Sequence, residues 1–204
     1  MIPSDVEQFE TEGERQFYRF LERVARPDNR YLSWYLPDIR GKTKISCHGP
    51  QPEIKQFTDT KAIVDYVAAR VKALADEGMP LSEIAVLYTV KEPYENIKEP
   101  LPQLIGHALE SKGILSNWIS EDYKAKKSYD ITTNRVTIST IQSAKGLDYA
   151  CVFLLGLDSP KVEEWQAEVA RNLTYVAITR AREWLYVPFA AGTDIIQSLM
   201  KIRQ

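Results

Sequence analysis

Cysteine is scarce in this 204-residue chain, and so is any surplus of one charge. Cys47 and Cys151 are the only two cysteines, far apart and without metal-ligand spacing. That excludes a disulfide framework, suggests no metal site, and points to a reducing, cytoplasmic setting. Basic residues number 26 against 28 acidic ones, for a net charge of −2. A protein that grips nucleic acid by bulk charge is usually basic, so any such contact here must come from a local site. No apolar run approaches the roughly 20 residues that span a bilayer. The longest, Ala150 to Leu157, has the length of a buried strand, so no membrane partner is expected. The opening Met1-Ile2-Pro3-Ser4-Asp5 lacks a basic segment followed by an apolar one, so no secretory signal is read. What remains is an ordinary globular composition, 44% hydrophobic and 26% charged. The length suits one sizeable core, or one core with a small appendage.

Residues 1–48 read as an appendage. Phe17, Phe20, Leu21 and Val24 recur at helical spacing between Glu12 and Val24, Pro27-Asp28-Asn29 stops the helix, and Tyr31 to Tyr35 suits a short strand. Gly49-Pro50-Gln51-Pro52 marks a boundary, and 49–204 reads as the main domain. Within it, strands are expected at Glu53–Phe57, Ile84–Val90, Val136–Ile141, Tyr149–Leu157 and Trp184–Phe189. Helices are expected at Thr60–Glu77 with Gly78 closing it, Pro102–Lys112 closed by Gly113, Glu163–Arg182 as one long helix, and Thr193–Ile202. Strands alternating with helices predict an α/β fold, a parallel sheet covered on both faces. The polar stretch Glu121 to Asn134 clusters Lys124, Lys126 and Lys127; it reads as a solvated loop or, alternatively, a contact to a nucleic-acid backbone.

Two stretches carry chemistry. Val136 to Asp148 runs from a strand into the small and polar residues Ser143-Ala144-Lys145-Gly146 and then an acid. Small residues let a backbone approach a ligand, and Gly146 permits a positive φ. In open α/β sheets ligands sit beyond the carboxyl ends of the strands, where this loop is expected. The competing reading is an ordinary turn with surface Lys145 and Asp148. The second stretch, Arg171 to Arg182, places Trp165, Val169, Leu173, Val176 and Ala177 on one helical stripe, and a further step of four from Val176 reaches Arg180. A guanidinium in line with a packed face wants an anionic partner such as a phosphate. The alternative is a cation placed near the negative end of the helix dipole, a role that suits Arg182 better.

The sequence TIQSAKGLD at 140–148, continued by YACVFLLGLD, resembles motif V of superfamily 1 DNA helicases of the UvrD, Rep and PcrA type. NLTYVAITRAREWLYV at 172–187 resembles their motif VI, and EIAVLY at 83–88 resembles the strand of motif IVa. The resemblance covers residues 50–204 and implies a RecA-like domain, the second of two that clamp ATP. In such enzymes the first domain holds the phosphates and magnesium, and the second adds an arginine finger and part of the DNA track. By match to motif VI, Arg180 is the finger. By match to motif V, Gly146 and Asp148 meet the nucleotide, Asp148 accepting hydrogen bonds from the ribose, while Thr140, Gln142 and Ser143 face single-stranded DNA. Lys145 is a candidate for either ligand, and Tyr175 reads as core.

Departures from the family pattern matter too. The family more often has Glu at position 148 and His at position 142. No stretch fits G-x-x-x-x-G-K-[ST]: Gly41-Lys42-Thr43 has Leu36 where the first glycine should stand. ATP and magnesium would therefore be held mainly by a first RecA-like domain, in cis or in trans. The interval between Tyr88 and Val136 is too short for the accessory domain inserted there in UvrD and Rep. Residues 12–39 are similar to the start of a nuclease-related domain, without its catalytic residues, which would suggest a deletion product or fragment. The alternative function is a non-catalytic nucleic-acid-binding or protein-interaction module derived from a helicase.

Overall fold

The computed structural model describes residues 50–92, 97–119 and 133–202. The expected appendage at 1–48, with its helix and strand, and the lysines at 124, 126 and 127 lie outside the described residues.

Six strands form one sheet: β1 Glu53–Gln56, β2 Ile84–Tyr88, β3 Ser116–Ile119, β4 Val136–Thr140, β5 Tyr149–Leu155 and β6 Ala181–Phe189. Their order is β1-β6-β5-β2-β4-β3, and every pair is parallel. All amino ends therefore share one edge of the sheet and all carboxyl ends the other. β2 lies centrally and is buried at every residue, as a strand covered on both faces must be.

Helices α1 Thr60–Asp76 and α2 Leu101–Glu110 cover one face. Ile63, Val67, Val71 and Leu74 of α1, with Ile105 and Leu109 of α2, pack on Ile84, Val86, Ile138 and Phe153. The Asp59 carboxylate caps α1 by accepting from the Ala62 N–H at 2.8 Å. Gly78, at φ 98, lets the Met79 N–H return to the Leu74 carbonyl at 3.0 Å, so it closes this helix as expected. The opposite face carries the turn 141–148, α4 Ala167–Ile178 and α5 Asp194–Ile202, packed through Ile141, Ala144, Ala177, Ile178, Ile196 and Leu199 on Leu87, Val152 and Leu154. No described helix is long and apolar enough to cross a membrane.

The expected single helix Glu163–Arg182 is corrected. A short helix α3 Pro160–Glu163 precedes α4, and Trp165 between them packs on Val90, Val162 and Ala170. At the far end α4 stops at Ile178, and β6 begins at Ala181, in register with Tyr149. Arg182 and Glu183 favour helices, but pairing with β5 outweighs that local preference. Val169, expected on the buried stripe, is 46% exposed. Strand β3 was not expected: Ser116-Asn117-Trp118-Ile119 is short, half polar, and at a sheet edge.

Candidate nucleotide and nucleic-acid site

The segment 141–148 is a compact hydrogen-bonded turn. Ala144 N–H donates to the Thr140 carbonyl at 3.1 Å, Lys145 N–H to Gln142 at 3.2 Å, and Leu147 N–H to Ala144 at 3.0 Å. Ile141 and Ala144 are fully buried and fix it to the sheet. Gln142, Lys145 and Gly146 face out, and Ser143 is half-buried. Gly146 has φ 91, and an added Cβ would meet nothing within 4 Å. Its glycine character thus serves the backbone conformation, and the space beside it is open.

The turn crosses the sheet from edge to edge. Thr140 ends β4 at the carboxyl edge, opposite Tyr88. Its Oγ1 accepts from the Ser143 N–H at 3.1 Å, so the hydroxyl also shapes the turn. The Ser143 Oγ is buried without a hydrogen-bond partner among the described residues. Asp148 immediately precedes β5 and so lies at the amino edge. The carboxyl-end expectation therefore holds for Thr140, Gln142 and Ser143. It is corrected for Gly146 and Asp148, because the connection must return to the sheet's amino edge to start another parallel strand.

That return brings the two motifs together. Arg180 immediately precedes β6, Tyr149 pairs with Ala181, and the Tyr149 N–H donates to the Arg180 carbonyl at 2.8 Å. Arg180 Nη1 stands 3.0 Å from Asp148 Oδ1, with the two side chains 13% and 27% exposed. Nη1 also donates to the Leu147 carbonyl at 3.1 Å, Nε to the Val176 carbonyl at 3.0 Å, and Nη2 to Thr179 Oγ1 at 3.1 Å. The guanidinium is thus gripped by the end of α4 and the end of the turn, with little of it left exposed. Tyr175 is buried as expected; burial raises its hydroxyl's pKa, with Arg180 acting in the opposite sense.

Arg182 does not serve the helix dipole. It lies exposed on β6 and pairs with Glu83, which also accepts from the Ala150 N–H at 3.3 Å. The roles of Glu83, Leu147 and Thr179 escaped the sequence reading, as did the part played by the Val176 carbonyl. The two carbonyl contacts leave no side-chain signature, and the Glu83 pairing joins chain positions far apart. Among the described residues, no three His, Cys, Asp or Glu side chains gather as a metal site would require.

A family model for the UvrD-like helicase C-terminal domain matches residues 135–187, which holds β4, the turn, β5, α4 and most of β6. The chain is 38% identical over 200 residues to an "ATP-dependent DNA helicase PcrA" from Staphylococcus aureus, covering 94% of this chain and 26% of that protein. It is 36% identical over 77 residues to "RecBCD enzyme subunit RecB" from Chlamydia pneumoniae, covering 38% of this chain and 7% of that one. The chain thus spans about a quarter or less of the length of these curated relatives. Among solved structures, the C-terminal domain of a possible DNA helicase from Lactobacillus plantarum aligns with TM-score 0.53 at 17% identity. That match covers 73% of this chain and 80% of that one, and at such identity it speaks for the fold. With motif sequence, motif order and sheet architecture in agreement, residues 135–187 form a UvrD-like helicase C-terminal domain, within a chain whose sequence resembles PcrA helicase over 94% of its length.

Proposed function

We propose that the chain is the second motor domain of an ATP-dependent DNA helicase or translocase, supplying the arginine finger and part of the single-stranded DNA track. The observation that carries this reading is the meeting of Arg180 with the end of the turn 141–148 at one edge of the sheet. The guanidinium adjoins the turn and keeps a small exposed fraction, 13% of its side chain, through which a phosphate from a facing domain would have to reach it. There it would neutralise charge building on the γ-phosphoryl oxygens, an effect worth roughly 10³–10⁵ in rate. That corresponds to about 4–7 kcal/mol of barrier.

Gly146 and Asp148 adjoin this edge and fit the ribose side of a nucleotide; exposed Lys145 suits either ligand. Exposed Gln142 and half-buried Thr140, at the other end of the turn, suit phosphate contacts that position single-stranded DNA without reading its sequence; Ser143, whose Oγ is buried, lies beside them. Without a Walker loop in this sequence, a first RecA-like domain, in cis or in trans, would hold the β- and γ-phosphates and Mg²⁺. The chemistry that domain would supply is polarisation of the phosphoryl group by the metal. The part played by this chain is to orient and stabilise.

ATP hydrolysis, measured with this chain alone and paired with a first RecA-like domain, with and without single-stranded DNA, tests the reading. Turnover is expected only in the pair, and Arg180→Ala should lower it by orders of magnitude; a loss below about tenfold refutes the finger assignment. Gln142→Ala should weaken DNA-stimulated turnover more than basal turnover. Equal effects remove Gln142 from the track.

A further inference from the structure

We infer that Asp148 is a positioning residue for Arg180, holding the guanidinium in the plane and direction needed at the nucleotide. This rests on the finger reading above and adds a role beyond any ribose contact.

Three observations carry it. First, the pairing is built into the sheet. Tyr149 and Ala181 are register partners on parallel strands, so the residues immediately before them, Asp148 and Arg180, are forced side by side. Second, the carboxylate faces inward. Asp148 Oδ1 is buried and forms an ion pair with Arg180 Nη1 at 3.0 Å, while the Nη1 hydrogen bond goes to the Leu147 carbonyl and part of the Asp148 side chain reaches solvent. Third, the remaining grip is on fixed atoms. Nε and Nη1 donate to the backbone carbonyls of Val176 and Leu147, and Nη2 donates to Thr179 Oγ1, itself donating to Val176 O at 2.9 Å.

Arginine has five N–H donors in a rigid fork. Contacts at Nε and Nη1 fix the plane from two sides, and Nη2 keeps a second hydrogen beyond the one given to Thr179. A long, flexible side chain is thereby set in one direction before any ligand arrives, which is the preorganisation that transition-state stabilisation requires. The carboxylate also offsets part of the positive charge. Removing it should leave ground-state attraction for a polyphosphate intact or stronger while loosening the finger.

The test has two arms. In the chain as it stands, an arginine-selective dicarbonyl reagent is followed residue by residue by peptide mass spectrometry. Asp148→Asn should raise the Arg180 modification rate several-fold and Asp148→Glu should restore protection. Arg70, held separately by Tyr186 and Glu77, serves as the folding control and should not change. An unchanged Arg180 rate, with Arg70 still protected, overturns the inference. In the chain paired with a first motor domain, Asp148→Asn should lower kcat at least about tenfold with the KM for ATP unchanged or lower. The double variant with Arg180→Ala should be no slower than Arg180→Ala alone. A raised KM with kcat preserved, or additive losses, would instead make the acid a ribose contact only. If Arg180→Ala itself costs less than tenfold, the finger reading fails, and the labelling arm still reports whether Asp148 holds the guanidinium.

Discussion

Replacing Arg180 by alanine should cost the isolated domain measurable stability as well as catalysis in a complete motor. The magnitude follows from what each partner loses. The Val176 carbonyl keeps the Thr179 hydroxyl, and that hydroxyl keeps its bond to Val176, so neither is orphaned. The Leu147 carbonyl loses the Nη1 donor at 3.1 Å, and Asp148 loses its ion pair at 3.0 Å. The Leu147 bond comes from a charged donor and so contributes about 1.5–3 kcal/mol net, and the partly exposed ion pair adds up to about 1. Because Asp148 is 27% exposed, water recovers part of the second term, leaving a total of about 2 kcal/mol. For a domain of this size that lowers Tm by about 4–8 °C. Typical domains are stable by about 5–15 kcal/mol, so the variant should still fold. Differential scanning calorimetry and urea titration of the isolated chain measure the effect. Arg182→Ala is the control: that pair with Glu83 is 49% and 38% exposed, and such pairs contribute about 0–1 kcal/mol. If Arg180→Ala shifts Tm no more than Arg182→Ala does, the guanidinium is not held as described and the argument for its fixed direction falls.

Gly156→Ala and Gly146→Ala share a backbone penalty, since both glycines have positive φ, but only at Gly156 would the new Cβ meet another atom, Thr89 Oγ1 at 2.7 Å. The first should destabilise by about 2–4 kcal/mol and the second by about 1–2, read from urea midpoints; equal losses would contradict the packing around Gly156. Cys151 is fully buried and its thiol pKa is raised by that burial, so iodoacetamide should modify it only after unfolding. Mass spectrometry distinguishes it from Cys47, and fast labelling of the folded chain would refute its placement. The Asp59 cap carries a carboxyl pKa held below 3.8, chiefly by the Ala62 N–H. A depressed folded pKa gives stability that is present above the unfolded value and lost as pH falls through the folded one. Between about pH 5 and pH 3, wild type should therefore lose more stability than Asp59→Asn; parallel curves would discount the cap.

What could be seen in the sequence, and what could not, divides along a physical line. Local patterns were sufficient for α1, whose apolar stripe and closing Gly78 are both short-range signals, and for the five strands other than β3. They failed where a distant partner decides. Ala181 to Glu183 looks helical by composition, yet the hydrogen bonds offered by β5 at Tyr149 and Cys151 turn it into strand. Because β6 starts three residues after α4 ends, Arg180 falls in the connection between them instead of one turn from a helix end. The step of four from Val176 still found a real contact, since Arg180 Nε returns to the Val176 carbonyl at 3.0 Å. The spacing was therefore informative about where the side chain lies even though the helix assumed for it stops short. The Asp148–Arg180 pair is of the same kind. Each residue was named from its own motif, but their contact follows from strand register, which no window in either motif contains. A parallel sheet obliges each connection to return from the carboxyl edge to the amino edge. A turn as short as 141–148 can do so only by lying across the sheet, with Ile141 and Ala144 buried beneath it. Thr140 and Asp148, four positions to either side of Ala144, consequently stand at opposite edges of one rigid element. Residues proposed for DNA and residues proposed for nucleotide are thus joined by one eight-residue segment, anchored to the sheet through Ile141 and Ala144.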